Sequence, residues 1–144
     1  MVMLKTELNF DSLIEGQELE SLNKPPISKV QLVKYAGASG DFNPLHTDDA
    51  SAQKVGMDGV IAHGMLIMGF LGQYVTELAG DRAETRNFRM RFGAITKPGD
   101  EITCSSTVEK RYEEAGEKFV SLALEAKKPT GEVVGTGTVL LRFQ

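Results

Sequence analysis

"AHGMLIMGFLGQYVTELAG", residues 62–80, decides the architecture. From Met65 to Leu71 no polar residue interrupts the run, so a helix here has no face for water and is expected to be buried on every side. Farther along, Gln73, Thr76 and Glu77 share one face, so the far end should meet solvent. Gly80 supplies a stop. A helix of this kind needs something wrapped around it, and the rest of the chain has to provide it.

The second half reads as that wrapping. "NFRMRF" (87–92) alternates, with Phe88, Met90 and Phe92 one way and Arg89 and Arg91 the other. "KPGDEI" (97–102) turns the chain through Pro98 and Gly99. "VSLALEA" (120–126) alternates again, placing Val120, Leu122 and Leu124 on one side. "PTGE" (129–132) is a further turn, and "EVVGTGTVLLRF" (132–143) is a last strand whose glycines imply a bend or a close approach. Three or four long antiparallel strands around one buried helix make an α+β design.

The first half is helical. In "KPPISKVQLVKYAG" (24–37) Ser28 can cap a helix with Gln31 as its capping-box partner; Leu32, Val33 and Ala36 form the buried face and Gly37 the stop. "HTDDASAQKVG" (46–56) predicts a short second helix capped by Thr47, with Asp48 and Asp49 in its first turn and Gly56 at its end.

Composition excludes several classes of function. The 144 residues suit one domain, 1–144, and no repeat or linker divides them. A net charge of −4 argues against a nucleic-acid partner. The single cysteine, Cys104, demands no oxidising compartment. "MVMLKTELNFDSL" lacks the apolar core of a signal peptide, and the run from Val60 to Gly72 is too short to span a membrane. A cytoplasmic protein with no membrane partner is expected.

Between the two predicted helices lies "GDFNPLH" (40–46), which gathers Asp41, Asn43 and one of only two histidines, His46, around a proline. "GASGD" (37–41) falls short of a nucleophile elbow because Asp41 stands where the last glycine belongs. "DFNPLHTDD" fails as a calcium loop, with Leu45 at the third ligand position and no glycine at the sixth. Two histidines seventeen residues apart are weak grounds for a metal, and no phosphate-binding glycine pattern exists. The plainer reading is that Asp41 and Asn43 merely shape a turn. The alternative is that Asp41 and His46, held on a stiff loop, share a water molecule. His63 on general grounds is more often a satisfied helix-start histidine than a catalyst. Gly64 opens the buried helix, where backbone N–H groups lack internal partners and the dipole is positive. A ligand oxygen could approach closely there. A water-holding pair beside an oxyanion site suits addition of water to a double bond conjugated to a thioester.

"YAGASGDFNPLHTDDASA" (35–52) resembles the hydratase motif of the MaoC-like (R)-specific enoyl-CoA hydratase and 3-hydroxyacyl-thioester dehydratase family: Tyr35, Gly40, Asp41, Asn43, Pro44, His46 and Ala52 fill the pattern. The stretch from Ile61 to Asp81 and "FRMRFGAITKPGDEIT" (88–103) extend the likeness over nearly the whole chain, which is most similar to catalytic subunits of mycobacterial β-hydroxyacyl-ACP dehydratases. The resemblance implies a hot-dog fold, a curved antiparallel sheet around a long central helix. It implies Asp41 and His46 as the catalytic dyad, Asn43 as their support, and Gly64 as an oxyanion donor through its N–H. His63 and Met65 in the H-G-M element become substrate-binding candidates. Some relatives carry a serine where this chain has Gly72, so no role passes to Gly72.

The resulting expectation is a reversible hydro-lyase acting on acyl-CoA or acyl-ACP thioesters, with no metal and no redox cofactor. The chain would work as a homodimer or as a heterodimer with another hot-dog subunit. Asp41 is expected in an apolar pocket, where desolvation would raise its pKa. A non-catalytic acyl-binding subunit and a thioesterase on the same fold are the alternatives. Arg82, Arg86, Arg89, Arg91 and Lys97 form a basic stretch that could meet CoA phosphates or an acidic carrier, or simply face solvent. Gly69 and Gly72 would leave room for an acyl chain.

Overall fold

The computed structural model describes Leu4 and residues 7–144; residues 1–3, 5 and 6, part of the segment tested for a signal peptide, lie outside it. The ordered elements are β1 (Leu22–Lys24), α1 (Lys29–Ser39), a 3-10 turn (Pro44–His46), α2 (Asp49–Lys54), α3 (Gly64–Ala79), β2 (Ala83–Phe92), β3 (Ile102–Glu114), β4 (Glu117–Lys127) and β5 (Val133–Phe143), preceded by a 3-10 turn at Phe10–Ser12. The strands form one antiparallel sheet in the order β1-β3-β4-β5-β2. Four are long, within the three or four expected, and β3 is the one not read individually from the sequence; the three-residue β1 is too short to show a period.

The sheet curls around α3. Leu66, Ile67, Phe70, Leu71, Tyr74, Val75 and Leu78 are buried on the helix, against Ile102, Val108, Val120, Leu122, Leu124, Val139 and Leu141 from the strands. Period-2 alternation on β3 and β4 supplies the inward row. At Gly137 a Cβ would come within 2.3 Å of the Arg89 carbonyl oxygen, so the close approach read from the last strand is real and requires glycine. Asn87, at φ 49, marks a bulge in the β2–β5 register.

Several expectations need correction. α3 is not buried all round: Met65 is 53% exposed and Gly69 is exposed too, because the sheet leaves one stripe of the helix uncovered. Gly69 opens onto the exposed surface and Gly72 lies under the Phe88 ring, and neither lines the cavity described below. α1 is capped as predicted, with Ser28 Oγ accepting from Gln31 N at 3.0 Å. It runs past Gly37, however, and ends at Gly40, which takes the left-handed conformation (φ 76). Leu32 and Ala36 are buried, but Val33 is 56% exposed, one position round the helix from Leu32. α2 is capped by Asp48, whose carboxylate accepts from Ser51 N. Thr47 closes the preceding 3-10 turn instead, donating its N–H to the Pro44 carbonyl.

Candidate active site

Two local devices build the GDFNPLH loop. Asp41 Oδ1 accepts the Asn43 N–H at 3.2 Å, and Asn43 Oδ1 accepts the Leu45 N–H at 3.1 Å. These Asx turns fold the segment back, and Pro44 opens a single 3-10 turn ending at His46. The plain reading of Asp41 and Asn43 as turn formers is therefore correct, yet it uses only one oxygen of Asp41. The other, Oδ2, faces His46 Nε2 at 3.7 Å.

The His46 ring is fixed from behind. Its Nδ1 lies 2.8 Å from the Ile61 carbonyl oxygen. A carbonyl can only accept, so Nδ1 carries the hydrogen, and in the neutral ring Nε2 then presents a lone pair toward Asp41. The segment carrying Ile61 is held in turn by Asp49, whose carboxylate accepts Val60 N–H at 2.9 Å while pairing with Lys29. These two bonds, the Lys29 one first, hold the Asp49 carboxyl below the ordinary carboxylate range.

His63 sits behind the pair, 2% exposed. Its ring stacks on His46 with centroids 3.8 Å apart and meets Tyr35 edge-on at 4.8 Å. Nε2 reaches the Asp41 carbonyl oxygen at 3.2 Å, so that nitrogen carries the hydrogen, and buried Nδ1 has no partner among the described residues. Asp41, His46 and His63 gather their ligand atoms within 4.8 Å. The stacking speaks against a shared metal, because an ion in the plane of one ring would lie well off the plane of the other.

Gly64 begins α3, and His63 provides no side-chain cap. Leu66 N–H donates to the His63 carbonyl at 3.0 Å, which leaves the Gly64 and Met65 N–H groups, without intrahelical partners, for a ligand. A cavity of about 360 Å³ joins Asp41, His63, Gly64 and Met65 to Phe92 at the end of β2 and to Ile95 and Thr96 from the loop after it. One expectation fails here: Asp41 does not sit in an apolar pocket, since its side chain is 51% exposed while that of His46 is 11% exposed. The far wall was missed from sequence altogether. Phe92 and Thr96 belong to a segment some fifty residues from the Asp41–His46 loop, brought near by the Ala62 N–H to Thr96 carbonyl bond of 2.8 Å.

A helix wrapped by an antiparallel sheet, with this loop at its amino end, defines the hot-dog class. Residues 12–128 match the MaoC-like domain, and the chain belongs to that family. It is 36% identical over 135 residues to an (R)-specific enoyl-CoA hydratase of Rhodospirillum rubrum, covering 92% of this chain and 90% of that one. The solved (R)-hydratase of Aeromonas caviae superposes with a TM-score of 0.81 at 26% identity, over 92% of this chain and 98% of the other. A chain of the ChsH1-ChsH2 complex of Mycobacterium tuberculosis shares the fold, with a TM-score of 0.78 at 23% identity over 91% and 98%.

Proposed function

We propose that residues 1–144 form one domain that adds water reversibly to trans-2-enoyl thioesters, giving (R)-3-hydroxyacyl thioesters carried by CoA or by an acyl-carrier protein. The observation that carries this reading is the 3.7 Å gap between His46 Nε2 and Asp41 Oδ2. Two acceptors at that separation do not hydrogen-bond to each other. A water molecule, with two hydrogens to donate, satisfies both at once and keeps an oxygen lone pair for attack.

The balance of the step is simple. The water oxygen bonds to C3 and one water proton passes to the dyad. The C2=C3 electron pair moves to the thioester as an enolate, and the dyad returns the proton to C2. The enolate oxygen is stabilised by the N–H groups opening α3, Gly64 foremost. Asn43 keeps the loop in shape, while Met65 and His63 border the substrate. No step calls for a metal or a redox cofactor. The identity to an (R)-specific hydratase along most of both chains supports the reaction and its stereochemistry. Pairing with a second hot-dog chain, identical or not, belongs to the same proposal. So does a reducing cytoplasm, which suits the unpaired Cys104.

The test is loss of enoyl-thioester absorbance with crotonyl-CoA, repeated with crotonyl-carrier protein, and the stereochemistry of the product. Formation of (R)-3-hydroxybutyryl thioester on either carrier is expected. Release of free thiol instead would assign the site to thioester hydrolysis, and silence on both carriers would sink the hydratase reading.

A further inference from the structure

Thr96 is a polar residue of the cavity for which the dyad chemistry has no use. It lies in the loop between β2 and β3, and its carbonyl accepts the Ala62 N–H at 2.8 Å, which ties the loop to the segment opening α3. The residue is 3% exposed and lines the same cavity as Asp41 and Gly64. Its Oγ1 is buried with no hydrogen-bond partner among the described residues. A hydroxyl in that condition weakens the folded state, and a valine of equal shape would remove the defect. Among the described residues, no group of the empty protein uses this hydroxyl.

We infer that Thr96 Oγ1–H is a second donor to the substrate's thioester oxygen, beside the backbone N–H groups at the start of α3. This rests on the hydration reading above and deepens it. A carbonyl oxygen has two lone pairs, and the helix start engages one of them well. Charge on that oxygen grows as the enolate forms, so a donor aimed there binds the transition state more strongly than the ground state. Two features preorganise it. The β-branched side chain is stiff at χ1. The loop is also clamped by Lys128, whose ammonium donates to the Ile95 carbonyl at 2.7 Å and pairs with Asp100 at 3.0 Å. Thr96 keeps its proton throughout.

The experiment compares the full chain with Thr96→Val and Thr96→Ser, using crotonyl thioesters of CoA and of carrier protein, and follows thermal unfolding without substrate. Thr96→Val should lower kcat by about ten- to a hundredfold with KM nearly unchanged. Thr96→Ser should recover most of the rate. Thr96→Val should also unfold at the wild-type temperature or above it, an outcome that a merely structural threonine would not give. Wild-type kcat in the valine variant, or equal loss in valine and serine, overturns the inference and leaves the hydratase standing. A wild type that hydrates neither thioester removes the hydratase reading, and this inference with it.

Discussion

Asp41 divides its carboxylate between two tasks, one oxygen folding its own loop and the other facing His46. The same economy appears at Gly64, where the absent side chain leaves the helix start open. A Cβ there would sit 3.2 Å from the Phe92 ring, but Phe92 is 56% exposed and can yield. Gly64→Ala is therefore expected to fold with a melting temperature within a few degrees of wild type. Its methyl group would crowd the proposed oxyanion site and lower kcat/KM about tenfold or more; enzyme assay beside thermal melting checks both halves. Cys104 marks the opposite case. Burial pushes its thiol up to about 12, so it should resist alkylation in the native protein and react at once in denaturant, as mass spectrometry would record.

Elements reach the site through ties that cross the sequence. Lys128 joins the end of β4 to the loop carrying Thr96, and its ammonium also pairs with Glu132 at 2.9 Å. Burial alone would raise the Asp100 carboxyl, yet the Lys97 N–H and Lys128 hold it below its ordinary value. Lys128→Met should cost about 2 kcal/mol in denaturant unfolding, the scale of charge-assisted bonds lost at a partly buried position. It should also slow hydration by loosening the loop. Much of this scale was legible in the sequence: the buried helix, the alternating strands and the Ser28 cap all follow from local periodicity. Helix ends were less so. Gly37 looks like a stop but stays helical, since termination needs the left-handed turn that only Gly40 makes. Thr47 looks like a cap but is consumed by the turn before it. The proximity of Asp41 and His46 was readable because they lie within six residues of each other. Thr96 and the Ile61 carbonyl were not, one being distant in the chain and the other a backbone atom with no signature. The exposure of Asp41 was hidden for a similar reason, since it depends on what the fold leaves uncovered.

On the scale of the whole molecule, β2 is an open ten-residue edge, and Phe42, Met65, Phe92 and Ile95 are exposed around the cavity it borders. Of the basic stretch, Arg82, Arg86 and Lys97 are paired with nearby carboxylates, while Arg89 and Arg91 stand on that edge opposite Thr138 and Thr136. Edges of this length invite strand pairing, so the purified chain should sediment at twice its 15.7 kDa mass; a 15.7 kDa particle would contradict self-pairing. Burial holds the Tyr74 hydroxyl and the Cys104 thiol near 12, above their unfolded values of 10.0 and 9.0. The folded state thus retains protons that the unfolded state releases. The contribution of these two groups is full below pH 9 and should be lost as pH rises from there toward 12, measurable by denaturant titration. Among the described residues, no helix is long and apolar enough to cross a membrane. That Asp41 and His46 work as one unit on one water is the core of the proposed mechanism. Its most direct test measures kcat for Asp41→Asn, His46→Ala and the double variant on the same enoyl thioester. Each single change should cost about as much as both together, a thousandfold or more, as members of one catalytic unit do. Losses that add, or a single variant that keeps its rate, would contradict the shared-water dyad.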